Sequence, residues 1–201
     1  MSVTLCFDFG NTRRKVALFE NAEIRRVEIL EDDADETIQR LLDTYRPDKT
    51  ILSSVIEHNT GIESLLAANS RFHKLSHLTR LPFTTPVGKP ETIGADRLAL
   101  VAAAVHFHAG KHNLIIALGS CITYNFCNKY SEFIGGGISP GLEMRLKSLN
   151  YYTAKLPLVK ATSNVPLMGY DTNTNIQSGV VLGMVYEMDG FIDEYRQKFD
   201  N

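Results

Sequence analysis

Residues 5–15 read "LCFDFGNTRRK": an apolar run, a carboxylate, a glycine, Asn-Thr and then three bases. An apolar strand ending on Asp8 raises a physical question, because a buried strand end is a costly place for a charge unless something cationic sits opposite. Asp8 followed by Gly10, Asn11 and Thr12 supplies such a setting. The carboxylate can hold a magnesium ion through water, while backbone N–H groups of the turn and the Asn and Thr side chains meet phosphate oxygens. The same residues also fit a plain hairpin in which Asp8 caps its own turn. This stretch alone does not choose between the two.

Composition narrows the field. With 201 residues the chain can bury a substantial core as one large domain or two small ones. Charged residues make up 22% and nearly balance, for a net charge of −2, so no basic field points to nucleic acid. Arg13, Arg14 and Lys15 are too short a cluster to count as a basic tract. No apolar run approaches the roughly eighteen residues of a membrane span, and the N-terminus lacks the pattern of a leader. Cys6, Cys121 and Cys127 have neither metal nor redox spacing, as expected of reduced thiols in a cytoplasm. In "HFHAGKH", His108 and His112 have i, i+4 spacing, but Gly110 between them ends the helix and no acidic or Cys partner lies nearby.

Three β-like stretches open the chain, "VTLCFDF", "KVALFE" and "EIRRVEIL". A helix over "DADETIQRLLDTYRPD" follows, acidic at its start and closed by Arg46-Pro47. Then come a strand "KTILSSVI", a short helix "GIESLLAAN" and an alanine-rich helix "GADRLALVAAAVHFH". A new strand "NLIIAL" begins at Asn113, with "TYNFCN" as its hairpin partner. Set side by side, "CFDFGNTRRK" and "IIALGSCITY" share a pattern: apolar strand, glycine, small polar residues, second strand. Gly10 falls opposite Gly119, and Asp8 opposite Ala117. Either two glycine hairpins are alike by chance, or the chain is a duplicated α/β fold with domains at 1–112 and 113–201 that close over a nucleotide.

The second half adds "FIGGGISPG", whose Gly135, Gly136 and Gly137 permit close backbone approach and whose Ser139-Pro140 resemble the cap and first position of a helix. Leu142, Leu146 and Leu149 give that helix one apolar stripe, suited to core or to an interface. "DTNTNIQSGVVLGMVYEMDGFIDEYRQKF" reads as a second long helix, with Asp171 to Thr174 before it, in which Gly179 and Gly183 would admit a closely packed backbone.

Taken together, "DFGNTRRK", "KPETIGADRL", "FIGGGISPGLEMRLKSLNYYTAKLPLV" and "DTNTNIQSGVVLG", in that order, resemble the type III pantothenate kinases of the actin-like superfamily. The resemblance runs over essentially the whole chain. It implies a duplicated actin-like (ribonuclease H-like) fold, two α/β domains around a nucleotide cleft. It also implies ATP-dependent phosphorylation of pantothenate, the first step of coenzyme A synthesis. Asp96 would be the general base, Arg97 the partner of the pantothenate carboxylate, and Gly94 and Ala95 the backbone close to the substrate. Read without the family, Asp96-Arg97 is a helix-start acid beside a surface arginine. Asp8, Phe9, Gly10, Asn11, Thr12, Arg13, Arg14 and Lys15 would form the first phosphate loop, with Asp8 directed to magnesium. Ser120 would contact ATP from the second loop. Thr172 would meet pantothenate, across the interface of a homodimer to which the helix bearing Leu142–Leu149 contributes.

The departures from that family concern ATP and the cation. Ala117 stands where the family usually has an Asp that helps hold potassium or ammonium, and alanine cannot ligate a cation. Asn125 replaces a further acid, Ser120-Cys121 replaces Thr-Ala, and Val87 stands where a tyrosine often lines the substrate pocket. Family members also continue past the point matching Asn201, so the second domain is expected to be shortened. The alternative is a degenerate relative that binds ligand and acts as a regulator or accessory factor.

Overall fold

The computed structural model describes residues 2–199. The chain divides into two units: residues up to Phe83 together with Val87–Ala103, and Thr84–Pro86 together with the residues from Ala104 onward.

The first unit is built on a five-stranded sheet in the order β3-β2-β1-β4-β5, with β1 at Val3–Phe9, β2 at Arg14–Glu20, β3 at Glu23–Leu30, β4 at Lys49–Ser54 and β5 at Arg71–Lys74. The first three strands form an antiparallel meander, whereas β4 runs parallel to β1, and β5 parallel to β4. Parallel neighbours need crossovers, and helices α1 (Asp35–Tyr45) and α2 (Gly61–Asn69) provide them. Strand alternation turns Leu5, Phe7 and Phe9 to one face, where they join Leu52, Ile38, Leu41, Leu42, Ile62 and Leu66 in a single core cluster. Full burial of each such side chain contributes about 1.5–3 kcal/mol. Cys6 and Asp8 take the opposite face by the same alternation. Burial pushes the Cys6 thiol up to about 11, which leaves it protonated and unreactive.

Arg46 ends α1 as its position before Pro47 predicts. It adopts a left-handed conformation and its N–H bonds the Leu42 carbonyl at 2.8 Å. The short β5 has no counterpart in the sequence reading, because "RFHK" has little apolar signal and pairs only as an outer strand.

The second unit repeats the meander as a three-stranded sheet, β6 (Asn113–Leu118), β7 (Cys121–Cys127) and β8 (Phe133–Pro140), in that order. Here Ser139-Pro140 corrects the sequence reading: they end β8 rather than starting a helix, and α4 (Leu142–Tyr151) begins two residues later than expected, with Gly141 as its cap. Proline is tolerated because β8 is an edge strand and need not donate on its outer side. The long terminal helix is also interrupted. It runs as α5 (Thr172–Gln177), a wide π turn (Ser178–Leu182) and α6 (Gly183–Lys198). Leu142, Leu146 and Leu149 pack with Val159, Ile176 and Val180, so the leucine stripe serves as core within this unit. A second cluster joins Ile122, Tyr124 and Met184 with Leu114, Ile116 and Phe191. Across it, the Tyr124 hydroxyl donates to Glu187 Oε1 at 2.8 Å, and Arg145 pairs with Glu187 while also donating to Ser139 Oγ at 2.8 Å.

Within the triple glycine, Gly136 is the one that close approach requires, since a Cβ there would collide with the Tyr124 carbonyl on the neighbouring strand. Gly190, inside α6, has open space around a Cβ position. Gly136→Ala is therefore expected to lower unfolding free energy by more than about 2 kcal/mol. Gly190→Ala should raise it by about 0.5–1 kcal/mol, both read from denaturant titrations.

Candidate active site

Three strands of the first unit set polar side chains in one row. Asp8 on β1 is in register with Lys15 on β2 and with Ser53 on β4, so all three share the face opposite the Phe7–Phe9 core. Lys15 Nζ lies 3.7 Å from Asp8 Oδ2, with both side chains nearly half exposed. An ion pair so open to solvent is worth at most about 1 kcal/mol. Burial raises the Asp8 pKa, Lys15 lowers it, and the nearby Asp96 carboxylate raises it; the net direction is upward. The turn between β1 and β2 is closed by Gly10 N–H donating to the Arg13 carbonyl at 3.0 Å, which leaves Asn11, Thr12 and Arg13 exposed at its tip. Phe9 is core. Arg14 pairs with Asp33 at 3.1 Å, a role inside the protein that the sequence did not reveal.

Helix α3 (Ala95–Phe107) brings the second motif to this face. Its first turn is closed by Arg97 and Leu98 N–H groups donating to the Gly94 carbonyl at 3.0 and 3.2 Å. Asp96 Oδ1 accepts the Arg97 N–H at 2.8 Å. A Cβ at Gly94 would come within 2.5 Å of Asp96 Oδ1 and push that carboxylate aside, and it would lie in ordinary contact with the Val55 side chain just beyond β4. That contact places the start of α3 over the end of β4. Burial lowers the Arg97 pKa and Asp96 raises it, for a net downward direction, which marks a half-buried guanidinium beside a carboxylate. The Ala95 methyl is buried and Val87 is partly so.

In the second unit, the β6–β7 turn is closed by Gly119 N–H donating to the Cys121 carbonyl at 3.0 Å, the counterpart of the Gly10 bond. Ser120 sits at its tip, and its carbonyl accepts the Gly141 N–H at 3.0 Å. A Cβ at Gly141 would strike the Gly119 and Ser120 carbonyls, so this glycine seats the second loop against the start of α4. The sequence reading passed over Gly141, although Pro140-Gly141 is a turn signal. Ala117 faces Thr123 across the hairpin, on the face opposite the Leu114–Ile116–Phe191 cluster. Asn125 is fully buried on that same face, its amide donating to Thr123 Oγ1 at 3.1 Å and to the Ile115 carbonyl at 3.3 Å. Thr172 is the exposed first residue of α5, whose start is fixed by a reciprocal capping box between Asp171 and Thr174.

The residues around Asp8 fit a hydrated divalent cation. Two carboxylates lie within electrostatic reach of one another, and burial holds one of them up in pKa. A cation between them would relieve both penalties. Among the described residues no three His, Cys, Asp or Glu gather as a ready-made cage. Such an ion would therefore take most of its ligands from water and phosphate, as magnesium does.

Residues 4–194 match the family model described as type III pantothenate kinase. A type III pantothenate kinase from Christiangramia forsetii is 40% identical over 201 residues, covering 99% of this chain and 83% of that protein. One from Bacteroides fragilis is 38% identical, covering 98% of this chain and 82% of that protein. The chain thus spans about four fifths of the length of these relatives. Among solved structures, one described as a Baf family transcriptional activator from Campylobacter jejuni superposes with a TM-score of 0.57 at 20% identity, over 92% of this chain and 78% of that one. At that identity the likeness speaks to fold alone.

A carboxyl group whose folded pKa is raised binds its proton more tightly in the native state than in the unfolded state. Stability is then lost as pH rises from the usual carboxylate range through the raised value. Asp8→Asn removes that penalty. Its melting temperature is expected to match the parent's in acid and to exceed it at neutral pH, as read by calorimetry across the range.

Proposed function

The chain belongs to the type III pantothenate kinase family, and we propose that it transfers the γ-phosphoryl group of ATP to the primary hydroxyl of pantothenate. The observation that carries the reading is the neighbourhood of Asp8 and Asp96, a phosphate-loop carboxylate and a helix-start carboxylate on one face of the first unit. A loose phosphoryl-transfer transition state needs alignment, charge compensation and an acceptor for the departing proton. Asp96 takes the proton of the attacking hydroxyl as its oxygen bonds to the γ-phosphorus and the bond to the β–γ bridging oxygen breaks. Arg97 holds the pantothenate carboxylate with its planar fork. Lys15 and the exposed tip of the Gly10–Arg13 turn, Asn11 to Arg13, meet phosphate oxygens, as does Ser120 from the second loop. Thr172, exposed at a capped helix start, is assigned to pantothenate.

Magnesium, held through water by Asp8, would supply charge neutralisation on the phosphates. Ala117 and Asn125 present no carboxylate on their face of the second sheet, which argues for weak dependence on potassium or ammonium. The same two residues favour, as the second reading, a ligand-binding relative of low turnover that serves as an accessory or regulatory factor. A net charge of −2 argues against direct contact with duplex DNA. Homodimerisation is proposed from the exposed aromatic and apolar side chains of the second unit, Tyr151, Tyr152, Met168 and Tyr170, each more than 80% exposed. No described helix is long and apolar enough to cross a membrane, and a cytoplasmic location is the reading in keeping with a coenzyme A precursor kinase.

Turnover of ATP with pantothenate, measured with and without potassium, tests the assignment. Asp96→Asn is expected to lower phosphorylation by about 10²–10⁴-fold while pantothenate still binds. Turnover at the parent rate would remove Asp96 as the base. Arg97→Ala should instead weaken pantothenate binding by roughly 1.5–3 kcal/mol, the worth of a hydrogen bond to a charged group. Equal affinities by titration calorimetry would take Arg97 out of the pocket.

A further inference from the structure

β4 ends with two consecutive serines that meet opposite fates. Ser54 lies on the helix-covered face. Its hydroxyl is 2.9 Å from His58 Nδ1 and donates to the Ile56 carbonyl at 3.1 Å. His58 Nε2 in turn lies 3.0 Å from Glu63 Oε1, which also accepts from Lys74 at 2.7 Å. Ser54 is thus fully engaged in holding the strand end to α2 and β5.

Ser53 takes the other face. It is 8% exposed, yet among the described residues its Oγ has no hydrogen-bond partner. A buried hydroxyl without a partner is a standing penalty, and native structures rarely keep one without a use. Its position is set by the register: Ser53 is the cross-strand partner of Asp8, on the side away from Lys15. The contact between Val55 and the Gly94 position lays the Asp96-bearing helix start over the same strand end. An orphaned hydroxyl, a half-buried carboxylate and a second carboxylate therefore converge on one spot.

We propose that Ser53 is a positioning residue for the divalent cation, its hydroxyl hydrogen-bonding a water of the ion's hydration shell while Asp8 accepts from others. The proposal rests on the kinase reading, since it assumes that a metal–nucleotide complex docks on the first loop. A hydrated magnesium ion offers water protons to an acceptor such as the carboxylate, and the serine oxygen can accept one more. The hydroxyl would share with Asp8 the task of fixing the orientation of the water cage, a contribution that mutation of such outer partners usually exposes as reduced metal affinity.

The test uses the full chain and manganese as a paramagnetic substitute for magnesium, with ADP as the nucleotide. Free manganese is followed by electron paramagnetic resonance for the parent, Ser53→Ala and Ser53→Thr. Ser53→Ala is expected to bind manganese–ADP about tenfold more weakly, to bind metal-free ADP as the parent does, and to melt no lower than the parent, because no protein hydrogen bond is lost. Ser53→Thr, which keeps the hydroxyl, should restore most of the manganese affinity. Parent-like manganese affinity in Ser53→Ala overturns the assignment of Ser53 while leaving the kinase reading standing. A parent that binds no manganese–ADP overturns both.

Discussion

A carboxylate at the end of an interior strand is the constraint around which the first unit is arranged. β1 is flanked by strands on both sides, so Asp8 lies away from the sheet's open edges and has cross-strand partners on each side. Those partners are a lysine and a serine, and the Asp96-bearing turn of α3 acts on it from a third direction. The apolar side of the strand cannot yield to relieve the charge, because Leu5, Phe7 and Phe9 are locked in the core against α1 and α2. The fold thus holds a partly desolvated charge in place. The raised pKa of Asp8 is the mark of that cost.

The internal duplication shows what is essential in that arrangement. Both units use a glycine N–H to close the first hairpin, through Gly10 in one and Gly119 in the other. The second turn is a residue shorter, closing from Gly119 to Cys121 where the first closes from Gly10 to Arg13. Where the first sheet has Asp8 the second has Ala117, and its interior position is filled instead by Asn125, whose amide is turned back onto its own sheet. The charge of the first hairpin has no counterpart in the second.

Much of this was legible in residue order. Period-two alternation in "VTLCFDF", the Arg46-Pro47 stop and the alanine-rich helix after Gly94 each have local physical causes, and each element formed where those causes point. The Asp8 and Asp96 motifs stand out only in combination with the other motifs, because alone the first also fits a plain hairpin and the second an ordinary helix-start acid. Other features depend on partners distant in sequence. Ser139-Pro140 carries a good helix-start signal, but pairing with β7 wins and draws the residues into a strand. The leucine stripe on α4 has one face, and only Val159, Ile176 and Val180 reveal that the face is covered within the same unit. Ser53 is invisible in the sequence, since nothing distinguishes it from Ser54 until the sheet assigns them to opposite faces.

The π turn at Ser178–Leu182 joins two runs of helix that serve different cores: Ile176 before it packs, with the turn's own Val180, in one, and Met184 with Phe191 beyond it in the other. A wide turn of this kind is what a helix becomes when it absorbs one surplus residue without losing phase in its flanks. Around it the chain carries Gly179 and Gly183, neither crowded by neighbouring atoms. The consequence is a built-in tolerance to a change of length: loss of a single residue there would leave a regular helix with both apolar faces still aligned. Elsewhere in the same helix such a deletion would rotate everything beyond it by about 100° and tear Met184 and Phe191 away from Tyr124. In a lineage of such chains, this joint is the place where length can drift while the fold keeps its register.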